Sequence, residues 1–172
     1  MTPPAYFQTI AEIGIGLAGF SGLIVALRRK VGPLSHVLKF RMKILFALSF
    51  GAMFLALLPY WLQGLQIGDA LLWRLLSALM SLYSVLFVYS WFSSSRRLAA
   101  EVPEIFDWRA FATMSTGHFI TLCLLLGATT GLLADARGST YGLTLIWYLV
   151  HASQQFVRML FVQPRSSLEA DS

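Results

Sequence analysis

Charge is scarce in this chain. Among its 172 residues 12% are charged and 57% are apolar. A soluble domain dresses its surface with roughly 25% charged residues. The shortfall argues against a water-soluble globule and makes a bilayer the simplest solvent for much of the surface. Cysteine is nearly absent too. Cys123 stands alone, which excludes a disulfide within the chain and any cysteine-based metal site. It sits in an apolar run and reads as a small buried side chain.

Catalytic motifs are also missing. The sequence holds no HExxH, no CxxC, no Gly-rich phosphate loop and no GxSxG elbow. No enzyme, cofactor or metal site is therefore expected. Histidine is limited to His36, His118 and His151. A bis-histidine haem needs two at one depth on facing helices. His36 falls in a loop, His118 at the inner end of the fourth apolar run and His151 at the middle of the fifth, so one chain is not expected to supply the pair. The N-terminus, Met1 to Thr9, lacks Lys and Arg. The positive start of a signal peptide is thus not visible, and the first apolar run reads as a retained helix.

What is present is apolar length. A membrane-spanning helix needs about 20 predominantly apolar residues. Five stretches qualify, at about 10–27, 44–62, 70–92, 117–134 and 141–162. The expected fold is all-α: one polytopic bundle over residues 1–172, with four apolar helices plus a polar fifth. Between the third and fourth runs, Glu104 to Met114 carries Ile105, Phe106, Trp108 and Phe111. This segment is either an interfacial amphipathic piece or the lead-in to the fourth helix.

The basic residues are distributed unevenly. With five spans, Arg28, Arg29, Lys30, Lys39, Arg41, Lys43, Arg96, Arg97, Arg109 and Arg165 lie on one side, and Arg137 alone lies on the other. The excess of Lys and Arg marks the cytoplasmic side, which puts the N-terminus outside and the C-terminus in.

Small residues point to packing surfaces, because hydrophobicity alone does not join helices in lipid. Gly14, Ala18, Gly22 and Ala26 recur every four residues in the first helix, and Gly127 and Gly131 form a GxxxG in the fourth. Polar residues inside the membrane point to function. In the fifth helix Thr144, His151, Gln155 and Arg158 fall within about 60° at 100° per residue. Such a stripe faces other helices or a water-filled path. Arg74, Ser77, Ser81 and Ser84 form a second stripe, whose serines are expected to bond back to their own helix. Glu12 and Arg74 share a depth and are candidates for an ion pair.

The segment AEIGIGLAGFSGLIVALRR, residues 11 to 29, resembles the first helix of small bacterial polytopic inner-membrane proteins. That resemblance implies a location in the bacterial inner membrane. AEIG, from Ala11 to Gly14, is also similar to the first helix of small multidrug-resistance transporters, which implies a substrate- and proton-binding role for Glu12. The present chain departs from them in its greater length and fifth span.

Three functions are compatible with these features. The first is a homo-oligomeric ion channel or pore lined by Thr144, His151, Gln155 and Arg158, since several copies around an axis can enclose a path that five helices cannot easily enclose. Its basic loop (Arg28, Arg29, Lys30, Lys39, Arg41 and Lys43) would bind anionic lipid, a nucleotide or an oligonucleotide. In size and layout this is similar to small membrane effectors of anti-phage defence. The second is a non-conducting accessory or scaffold subunit. The third is a proton-coupled small transporter using Glu12.

Overall fold

In hydrocarbon, a backbone N–H or C=O must find its partner within the protein, and a helix provides one for nearly every residue. The apolar runs fold accordingly. A computed structural model describes residues 5–29, 35–65, 68–103 and 106–161. Five helices follow in order: α1 (Tyr6–Arg29), α2 (His36–Gln63), α3 (Asp69–Glu101), α4 (Trp108–Thr130) and α5 (Arg137–Leu160), with a single 3-10 turn, Ala134–Ala136, before α5. The shortest, α4 with 23 residues, is about 35 Å long at 1.5 Å per residue, enough for a ~30 Å hydrocarbon core. Helices α1 to α4 are also apolar enough to cross a membrane, and α5 is not. The protein is thus a polytopic α-helical membrane protein with four apolar helices and a polar fifth.

The polar helix lies at the centre. α5 packs against all four others. Its Thr144, Tyr148, His151 and Gln155 are buried, whereas Leu143, Val150 and Val157, seven residues apart, are about half exposed. This is the reverse of a soluble amphipathic helix. Lipid solvates the apolar edge, and the polar edge has to be satisfied by other helices.

Helix ends differ from the apolar runs for local reasons. Ser35 caps α2 by accepting from Leu38 N–H at 3.2 Å. Asp107 caps α4 by accepting from Ala110 N–H at 3.1 Å. That cap starts α4 at Trp108, nine residues (117 − 108) before its apolar run. Residues 108–114 are therefore the first turns of α4, while 104–105 lie outside the described residues.

The glycine motifs need correction. Gly14 does meet a neighbour: a Cβ there would lie 2.7 Å from the Ser49 carbonyl of α2. Ala18 is buried, but a Cβ at Gly22 would meet no neighbouring helix within 4 Å among the described residues, and Ala26 is exposed. A four-residue repeat advances 400°, so each step drifts about 40° off the contact line. The buried line runs instead through Gly14, Ala18 and Ser21. Gly127 and Gly131 close the C-terminal end of α4, and among the described residues the one neighbour from another long apolar helix is the Arg74 side chain beside Gly131. Gly131 has φ +97°, and both its N–H and that of Leu133 return to the Gly127 carbonyl at 3.1 Å.

Pro59 lies inside α2. Without an N–H it leaves the carbonyl four residues earlier open. That carbonyl, Leu55 O, accepts the Tyr141 hydroxyl of α5 at 2.6 Å in the buried core.

Candidate functional site: a buried histidine pair

The site is built from α4 and α5. His118 is ten residues into α4 (118 − 108), and His151 is nine residues from the end of α5 (160 − 151). The helices run in opposite directions, so both histidines sit about 14–15 Å from the same end of the bundle. Their depths match, contrary to the sequence reading. The difference arises because α4 begins at its Asp107 cap and not at its apolar run. His118 Nε2 and His151 Nδ1 are 2.9 Å apart. This direct contact leaves no room for an iron between the two nitrogens as they stand. Among the described residues, no cluster of three or more His, Cys, Asp and Glu could hold a metal ion.

The pair continues into a chain. Gln155 Nε2 lies 3.1 Å from His151 Nε2. With the amide donating, His151 carries its proton on Nδ1 and donates to His118 Nε2, which leaves a proton on His118 Nδ1. With the amide turned over, every donor and acceptor exchanges role along the same heavy atoms. In both arrangements the chain ends at His118 Nδ1, which is buried and has no hydrogen-bond partner among the described residues.

Aromatic rings surround the histidines. Trp91 stands edge-on to His151 at 5.0 Å and tilts over His118 at 5.5 Å. Phe87 lies 5.2 Å from His118 and Tyr148 lies 5.8 Å from it. Ring faces within about 6 Å attract a cation. Tyr148 also shares a hydrogen bond with Ser84 of α3.

A cavity of about 40 Å³ reaches this site from the end that carries the basic residues, and its walls include Arg41, Trp91, Asp107, His151, Gln155 and Arg158. At roughly 10–15 Å³ per water it holds about three water molecules. Organic ligands need pockets of roughly 300 Å³ or more. At the mouth, Arg158 donates to the Asp107 carboxylate. The Arg41 guanidinium donates to the Arg158 carbonyl at 2.6 Å, satisfying an end carbonyl of α5. The Asp107 carboxyl titrates below the usual carboxylate range. The main cause is the Ala110 N–H that it accepts, and Arg158 adds to the effect.

The remaining sequence candidates are dispersed. Thr144 is buried and bonds to its own Thr140 carbonyl at 3.0 Å. Thr144, His151 and Gln155 face the interior of their own chain, while Arg158 stands partly exposed at the cavity mouth. Glu12 is exposed and accepts from Gln8 at 3.0 Å. Arg74 Nη2 lies against Gly131, 3.0 Å from where a Cβ would be. No Glu12–Arg74 ion pair forms among the described residues, because each side chain is engaged on a different helix. Ser81 and Ser84 bond back to α3 as expected, whereas the Ser77 hydroxyl is buried with no hydrogen-bond partner among the described residues. Cys123 is exposed on the outside of α4, not buried.

The basic loop divides. Lys39 and Lys43 face the cleft between α2 and α3, and Arg41 turns inward to α5. Arg28 and Arg29 end α1, while Lys30 and Arg165 lie outside the described residues. Pro59 escaped the sequence reading, and His118 was placed at the wrong depth. A proline inside a long apolar run was the available signal for the first, and the Asp107 cap was the signal for the second. No protein-family profile, curated protein or solved structure matches this chain.

Proposed function

We propose that this is a bacterial inner-membrane protein, N-terminus outside and C-terminus in the cytoplasm, that conducts protons within each chain through Gln155, His151 and His118. The observation that carries this reading is the hydrogen-bonded chain at the floor of the cavity from the basic end. The excess of Lys and Arg at that end supports its assignment to the cytoplasm.

Size selects the cargo. The cavity has room for about three waters, which suits a proton carried on water and leaves no space for an organic substrate. An imidazole takes a proton on one nitrogen and releases one from the other. The rings of Trp91 and Phe87 tilted over His118 stabilise the transient positive charge there. Beyond the pair, buried Leu76, Leu125 and Leu145 fill the opposite half, so release on that side requires helix movement.

The burial of Thr144, His151 and Gln155 favours a path inside each protomer over one lined by α5 from several copies. Assembly into homo-oligomers would then multiply paths without creating them.

The test is proton flux into liposomes loaded with a pH-sensitive dye, under a clamped potential. Wild type is compared with His151→Asn, His118→Asn and Gln155→Leu, and oligomer mass is taken from the same samples. A positioned proton-transfer group is worth about a hundredfold. We expect a loss of that order in each histidine variant, with the fold retained and wild-type flux linear in protein. Equal flux in wild type and variants, or none from folded wild type, would overturn the relay. Those outcomes would instead favour an accessory subunit whose histidines join α4 to α5.

A further inference from the structure

The α2–α3 cleft has a feature that the proton path does not use. On α2, Lys39, Phe40, Lys43, Ile44 and Ala47 share one face, and on α3 Phe87, Ser90, Ser94 and Arg97 share the face opposite. Two compartments lie between them. The one at the basic end has about 280 Å³ and is lined by His36, Lys39, Phe40, Ser94, Arg97 and Glu101. The one below it is narrow, about 30 Å³, and nearly all apolar, with Ile44, Ala47 and Phe87 among its walls. Phe40 and Ser94 belong to both, so the two form one groove with a charged mouth and an oily floor.

We infer that this groove seats an anionic phospholipid, its phosphate among Lys39, Lys43 and Arg97 and an acyl chain running down over Ile44, Ala47 and Phe87. Charge complementarity carries the argument. Two cations, Lys39 and Arg97, line the mouth with one carboxylate, Glu101, held near His36 at 3.4 Å, and a third cation, Lys43, lines the top of the compartment below. Lys43 lies one turn, about 6 Å, deeper than Lys39. Its ammonium bridges to Ser90 of α3 at 3.3 Å, at a level where its stem lies against apolar wall. A lysine so placed matches a phosphate at headgroup depth better than one in open water. At the same roughly 10–15 Å³ per water the upper volume holds on the order of twenty waters, ample for a glycerophosphate head. The inference is independent of the proton relay.

Native mass spectrometry of the full-length protein tests it, with phosphatidylglycerol and phosphatidylethanolamine added in equal amounts. The wild type is expected to retain phosphatidylglycerol selectively. Neutralising Lys39, Lys43 or Arg97 to Gln should weaken retention about fivefold each, the usual value of one basic residue at an anionic surface. Arg96→Gln and Arg109→Gln, which lie outside the cleft, should leave retention unchanged. Equal losses from the cleft and control variants would overturn the site in favour of diffuse attraction. Equally tight binding of soluble glycerophosphoglycerol, with no acyl chain, would overturn the lipid and leave a phosphate site. Circular dichroism of each variant confirms that the helices persist.

Discussion

At the scale of single residues, a backbone carbonyl that proline leaves open is closed by a hydroxyl from another helix. Pro59 opens the Leu55 carbonyl, and Tyr141 closes it from another helix. Leaving a buried acceptor without its partner costs roughly 1–3 kcal/mol. Tyr141→Phe should therefore lower stability by about that amount in a detergent or denaturant melt. Pro59→Ala restores an N–H to the same carbonyl, so the double variant should regain part of the loss. If Tyr141→Phe is as costly in the Pro59→Ala background as in the wild type, the two residues are not coupled. The sequence offered both residues but not their meeting, since 82 positions (141 − 59) separate them and only tertiary packing brings α5 beside α2. His118 was obscured differently. Its neighbours are apolar only on one side, so the run of hydrophobicity placed it at a helix end although the Asp107 cap puts it deep within.

At the scale of elements, what was legible was length and apolarity. All five helices fall where the apolar runs predict, and each begins before its run, because hydropathy registers the bilayer and not the helix. Where caps lie in water, hydrogen-bonding side chains set the boundary. Asp107 is the clearest case: it holds the first turn of α4 and receives Arg158 from the end of α5. Its carboxyl titrates below the usual range in the folded protein, so its contribution is fully present above the ordinary carboxylate pKa. That contribution is lost as pH falls through the lower folded value. Thermal melts should show wild type losing stability in that acid window, whereas Asp107→Ala should be less stable at neutral pH by about 0.5–1 kcal/mol and flatter toward acid. Parallel pH profiles for the two proteins would exclude this role. The small-residue motifs were less legible, because spacing alone does not say whether a glycine faces a neighbour, open space or its own helix end.

At the scale of the whole molecule, the polar stripe on α5 was visible in sequence, but what it faces was not. A stripe turned toward an axis between copies and one turned into its own chain have the same spacing. Only the surrounding helices distinguish them, and here they enclose it.

That enclosure bears on how the protein is made. A ribosome delivers α1 to α4 before α5, and each of those four is long and apolar enough to cross a membrane. α5 is not. Its Thr144, His151 and Gln155 become tolerable only when partners from earlier helices are waiting. Biogenesis should therefore be sequential, with the fifth helix acting as a client of the first four. A glycosylation reporter placed after residue 161 tests this. With α1 to α4 upstream, α5 should cross the membrane. With α5 alone behind a neutral leader, most chains should fail to insert it, and efficient insertion of the isolated helix would mean that it has no need of that waiting cradle.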